Sequence, residues 1–305
     1  MKNIKTKDRF FERRNFIKSI GFFGLFASIP AYAFDLFKII DPEGKNEELQ
    51  RAQKIMQGAG NIFTSSSEIN YNTEFSLGES LALEGLKKYG MPVQSKKLQK
   101  YVNLLGSSLA QNSQRPEITY YFIVVKNNLY NAFSCPGGII IITSTLMKLM
   151  NDESELAGVL AHELAHVSHK HALSALKRSK LFDGILTIAS ANSSEEKRKK
   201  YQETVGSLQT ILFDKGLDKN MEFEADITGM ETSYRTGYDP GGLIRVLNKL
   251  KSRENNSQKA GSWFSTHPPI EDRIQKCRQK LNMYSDASHL ARVKNRFIKK
   301  KGLIY

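Results

Sequence analysis

The chain has 305 residues, 45 Lys+Arg against 31 Asp+Glu, a formal net charge of +14, and 40% hydrophobic and 25% charged residues. That length allows one large domain or two small ones, and the composition excludes a disordered or low-complexity chain. Two cysteines exclude a disulfide scaffold or a Cys-rich zinc module; the charge invites a nucleic-acid reading, whereas four of the six histidines fall between His162 and His171.

Residues 1–18 carry seven basic and two acidic side chains, and an uncharged apolar run follows to Ala31-Tyr32-Ala33. This is the layout of an export signal cleaved after residue 33, and the run is short for a membrane span of about 20 residues. Arg13-Arg14-Asn15-Phe16-Ile17-Lys18 resembles the twin-arginine pattern whose cargo crosses the membrane folded. The expected product is periplasmic or otherwise exported and soluble after cleavage; an uncleaved signal anchoring the chain is the alternative. Removing residues 1–33 removes a net +5.

Apolar spacing predicts helices over 47–63, 74–90 and 95–111. Residues 119–125 are rich in β-branched and aromatic side chains and predict a strand. Residues 131–138 are turn-rich, and Ile139–Thr143 predicts a second strand. From there the pattern is helical to about residue 255, broken near Asp183-Gly184 and Asp214–Asp218. The apolar stretch 181–191 is too short and, with Asp183, too charged to span a membrane. The basic segment Arg292–Lys301 predicts a solvated end, residues 286–305, with contact to anionic membrane or an acidic partner as the functional alternative. No nucleic-acid motif accompanies the charge.

His162-Glu163-Leu-Ala-His166 is H-E-x-x-H. Side chains at i and i+4 share one helix face, so both imidazoles can meet one metal ion, with Glu163 beside them as general base. Asp152 is placed to cap that helix and Glu155 lies three residues on. A catalytic zinc needs three protein ligands and an open position. Glu222, in Glu222-Phe-Glu-Ala-Asp226, is the third candidate. Asp226, one turn on, is placed to bond the free ring nitrogen of a ligating histidine, while Glu224 points elsewhere on that helix.

His162–Val167, Glu222–Asp226, Asn131-Ala-Phe with Pro-Gly-Gly138, and Ser265-Thr-His267-Pro-Pro with Arg273 together resemble the zinc metalloendopeptidases related to the CAAX prenyl protease and HtpX. The resemblance covers residues 70–280 and is to the soluble, exported quality-control branch. It implies an α+β, predominantly α-helical, gluzincin-like domain (34–285) with a small sheet beside the active helix. It also implies one zinc ion per chain on His162, His166 and Glu222, with Glu163 as base. The implied activity is hydrolysis of peptide bonds in misfolded or envelope proteins; a zinc-dependent chaperone without turnover and a zinc aminopeptidase are the alternatives.

Pro-Gly137-Gly138 and strand 139–143 have two readings: a sheet edge facing the cleft, where Asn131, Gly137 and Gly138 would meet an extended substrate, or a plain buried strand followed by a helix, as the isoleucine run suggests. His267 has two readings, oxyanion donor or plug in the open metal position, and Arg273 is either a partner for a carboxylate such as Asp226 or solvated. His169 and His171 are read as solvated or as supports of the ligands. Cys135 and Cys277 either pair or stay free.

Overall fold

The computed structural model of the chain describes residues 69–178, 195–253, 263–267 and 270–304. The expected signal, the 47–63 helix, the 181–191 stretch and the two prolines after His267 lie outside them. The fold is α+β and predominantly helical, as expected.

Helix α1 (Tyr71–Tyr89) starts at Asn70, whose side chain accepts from Thr73 N; helix α2 (Lys96–Ala110) starts at Ser95, which caps Leu98 N in the same way. The sheet has order β1-β3-β2, with β1 (Tyr121–Val125) parallel to β3 (Ile139–Thr143) and β2 (Ala132–Cys135) antiparallel to it. Every side chain of β3 is buried. Ile140 and Ile142 enter one core cluster with Phe122, Val124 and Leu105 of α2, while Ile139 and Ile141 enter another with Ile123, Phe133 and Leu81 of α1. A strand covered on both faces needs apolar residues at every position, which accounts for the isoleucine run.

Two strand expectations are corrected. Residues 131–138 are not all turn: the four residues of β2 pair with β3. Ile139–Thr143 is therefore the middle strand, and the edge on that side is β2. The β2–β3 turn holds Gly137 at φ +77° and Gly138 at φ +111°, where a Cβ would lie 2.5 Å from Phe75 Cα and from Thr119 O respectively. Only glycine satisfies both constraints.

After the short α3 (Ser144–Leu149) comes α4 (Glu153–Ser168), buried along nearly its whole length. Asp152 caps it, accepting from Glu155 N at 3.1 Å. Then follow α5 (His171–Arg178), α6 (Glu195–Thr210), a wide turn at Ile211–Lys215, and α7 (Lys219–Thr236). Helix α7 packs closely on α4: at Gly229 a Cβ would sit 2.8 Å from His162 N. Helices α8 (Gly242–Lys251), α9 (Trp263–Thr266) and α10 (Ile270–Leu281) complete the layer around α4. Among the described residues no helix is long and apolar enough to cross a membrane.

The basic end is not a solvated tail. Helix α11 (Lys294–Lys301) buries Phe297 in the main core. The Arg292 carbonyl accepts from Glu153 N and Ser154 N (2.8 and 3.3 Å), and Lys301 Nζ donates to Met150 O at 2.7 Å. The bonds to the Arg292 carbonyl occupy two free amides at the start of α4.

Candidate metal centre

Two crossing helices build the centre. From α4 come His162, Glu163 and His166; from α7 come Glu222 and Asp226. The Nε2 atoms of His162 and His166 lie 3.0 Å apart. Glu222 Oε2 is 3.6 Å from His162 Nε2, and Glu222 Oε1 is 3.4 Å from His166 Nε2. His267, which follows α9, joins them: one donor atom from each of His162, His166, Glu222 and His267 lies within 4.8 Å of the others, and all four side chains are buried.

The residues around these donors fix their orientation. His162 Nδ1 is 3.0 Å from Asp226 Oδ1. Arg273 Nε and Nη2 donate to the two Asp226 oxygens at 2.8 and 2.7 Å, and Nη1 donates to His267 O at 3.0 Å. The same Nη1 is 2.9 Å from Glu222 Oε2. His267 Nδ1 is bonded to Thr266 Oγ1 at 2.8 Å, and the imidazole stacks on Trp263 with centroids 4.2 Å apart. That leaves His267 Nε2 facing inward, 3.5 Å from Glu163 Oε1.

Burial sets the electrostatics. It pushes Glu163 above the usual carboxylate range, with His162, Ser134 and Arg273 pulling the other way. It pushes Glu222 well above that range, opposed by Arg273. Asp226 behaves oppositely: burial alone would raise it, but Arg273 and His162 hold it well below the usual carboxylate value. The Arg273 guanidinium is correspondingly held above its ordinary value by Asp226 and Glu222 in spite of burial. Burial and Arg273 lower His162 and His267, and burial and the neighbouring histidines lower His166, so all three imidazoles favour the neutral form that ligates metal.

The donor set fits a metal ion. Glu222 Oε1 and Glu163 Oε1 are buried and accept no hydrogen bond, and Glu222 Oε2 has only the Arg273 ion pair. Unbonded buried carboxylate oxygens are costly unless a cation satisfies them. Two imidazole nitrogens and a carboxylate suit a borderline divalent ion.

Sequence reasoning located every member of this cluster, and Arg273 does pair with Asp226. Asn131, Gly137 and Gly138 are not part of it. Asn131 is buried; its Nδ2 donates to Tyr89 OH at 3.1 Å, and its Oδ1 is 3.4 Å from Thr266 Oγ1, beside His267. Gly137 N donates to Glu74 Oε1 at 3.0 Å. A narrow crevice runs from Ser134, Cys135 and Pro136 of the β2 side to His166, Leu212 and Leu217. Cys135 and Cys277 are both free and buried.

Of the two readings of His171 the structure favours support of a ligand, and what sequence reasoning missed is its link to Glu224. His171 is buried, with Nδ1 2.8 Å from His166 Nδ1 and Nε2 3.1 Å from Glu224 Oε2. Glu224 points away from the first cluster, as expected, but it meets His171 and His169 instead.

The family model of peptidase family M48 matches residues 96–281. The chain is 30% identical over 195 residues to a beta-barrel assembly-enhancing protease of Yersinia pestis, covering 61% of this chain and 39% of that protein. It is 26% identical to a mitochondrial metalloendopeptidase of Schizosaccharomyces pombe (59% of this chain, 52% of that one) and 26% identical to metalloprotease YcaL of Escherichia coli (62% and 72%). The chain thus spans about two fifths of the length of the Yersinia relative.

Proposed function

The chain belongs to peptidase family M48, and on that premise we propose that it is a zinc-dependent endopeptidase whose metal is held by His162, His166 and Glu222. The observation that carries this reading is the convergence of the buried Glu222 carboxylate, whose Oε1 accepts no hydrogen bond, on two imidazole nitrogens. Bound zinc supplies Lewis acidity toward a peptide carbonyl and toward water. The remaining chemistry belongs to the chain. Glu163 takes a proton from the attacking water and delivers it to the leaving amine. Asp226 accepts from His162 Nδ1 and keeps its Nε2 free to ligate, and Arg273 holds Asp226 in place. Relatives named as proteases and a metalloendopeptidase favour turnover over binding alone.

We read the described conformation as closed. His267 stands with the three ligands, and its Nε2 faces the centre, which supports the plug over the oxyanion donor. A zinc ion coordinated by all four would have no open position for substrate, so His267 must move before cleavage. His267→Ala should therefore raise the rate of casein cleavage; a large loss would favour the oxyanion role, and no change would remove both.

Substrate is proposed to be extended, unfolded chain lying along the β2 edge and the crevice beside His166. Main-chain pairing of that kind reads shape rather than sequence, which suits misfolded substrates. The name of the Yersinia relative supports substrates of the cell envelope. Residues 1–33 are proposed as a twin-arginine signal and 34–285 as the peptidase domain, with an exported product. Chelation tests the metal requirement directly: casein cleavage should vanish in EDTA and return with zinc. Cleavage that survives complete metal removal would sink the proposal.

A further inference from the structure

A second group of donors lies on the far side of His166. His169-Lys170-His171 joins α4 to α5, and Lys170 adopts φ +53°. On a continuous helix, residues two apart face different directions. The left-handed turn at Lys170, a conformation uncommon for a non-glycine residue, reverses that and stacks the two imidazoles, 5.2 Å between centroids at 12°. His169 Nδ1 is then 3.3 Å from Glu224 Oε1, and His171 Nε2 is 3.1 Å from Glu224 Oε2. One donor atom from each of the three lies within 4.8 Å of the others. Thr228 bonds His169 Nε2 at 2.9 Å, which leaves His169 Nδ1 with its lone pair toward Glu224 when Thr228 accepts.

We propose that His169, His171 and Glu224 form a second metal site, for a borderline divalent ion such as zinc, coupled through His171 to the first. Two imidazoles and a carboxylate are again the donor set of such an ion. Glu224 is 55% exposed, so this site opens to solvent whereas the first is closed. Helix α7 serves both: Glu222 faces one, Glu224 the other.

The coupling follows from the ring atoms and rests on the proposed first centre; the existence of the second site does not. When His166 ligates through Nε2, its ring proton sits on Nδ1 and is donated to His171 Nδ1, 2.8 Å away. His171 then carries its own proton on Nε2 and donates it to Glu224. An ion at the second site takes the Nε2 lone pair and displaces that proton. A neutral His171 can keep it only on Nδ1, where two protons would oppose each other across the gap. Filling the second site therefore weakens the support of His166 at the first.

The test counts ions. Metal-stripped chain is dialysed against rising Zn2+ and analysed for bound metal, with folding checked by circular dichroism. Wild type should reach two ions per chain, and His169→Ala, Glu224→Gln and His162→Ala one each. Casein cleavage by wild type should fall as the second ion binds, and His169→Ala should lose that fall. Wild type stopping at one ion, lost in His162→Ala but kept in His169→Ala, overturns the second site and leaves the first. One ion lost in His169→Ala but kept in His162→Ala leaves the second site and overturns the first. An equal fall in cleavage for wild type and His169→Ala overturns the coupling.

Discussion

Glu153 and Glu222 are both fully buried carboxylates in contact with opposite ends of helix α4, and they are satisfied in opposite ways. Glu153, at the start of the helix, accepts from Tyr101 OH at 3.0 Å, Tyr238 OH at 3.1 Å and both sides of the Arg296 guanidinium. Glu222, beside the end that carries the histidines, is paired at Oε2 with Arg273 Nη1 (2.9 Å) and accepts no hydrogen bond at Oε1. A buried charge surrounded by donors is part of the fold's support, whereas one with an oxygen left unbonded marks a place where a ligand completes the structure.

That contrast can be broken from either side. Glu222→Gln should weaken zinc binding by more than the roughly 100-fold that loss of an outer partner costs, read by competition with a chelator. The metal-free melting point should stay close to wild type, since Arg273 keeps Asp226 as its partner. Glu153→Gln should do the reverse: it should lower stability by about 3 kcal/mol in urea denaturation while the zinc stoichiometry is unchanged. Loss of metal in the second variant, or collapse of the fold in the first, would contradict the division of labour.

Glu79 sharpens the comparison as a third buried carboxylate, one outside the metal cluster. Its Oε1 has no hydrogen-bond partner, and burial pushes its pKa up to about 8. With a folded-state value above the unfolded one, its contribution to stability is full below about pH 4.5 and is lost as pH rises to about 8. Glu79→Gln should therefore leave the melting point at pH 5 nearly unchanged and raise stability at pH 9 by up to about 5 kcal/mol. An equal shift at both values would rule out this cause. The smallest effect belongs to Arg296→Met: its side chain is half-exposed and Glu153 keeps two tyrosines, so about 1 kcal/mol should be lost, with cleavage unaffected.

Much of the centre was legible because helical spacing alone places His162 with His166 and Glu222 with Asp226 on common faces. Strand Ile139–Thr143 was legible too, since four isoleucines in a row suit few other environments. Strand Ala132–Cys135 was hidden by its four-residue length and the Pro-Gly-Gly turn that follows. The link from His166 through His171 to Glu224 was hidden for a different reason. It depends on Lys170 leaving the helical conformation, and nothing in a Lys side chain announces a left-handed backbone. At the basic end, six cationic side chains between Arg292 and Lys301 masked Phe297, whose ring anchors α11 in the core.

The most direct measurement pairs metal analysis with casein cleavage for the zinc-loaded chain and its Glu163→Gln variant. Glu163 touches the centre without being one of its three proposed ligands, so the variant should retain the first-centre zinc and lose about 10³-fold in rate. Cleavage at the wild-type rate by the zinc-loaded variant would contradict the role of Glu163 as the base.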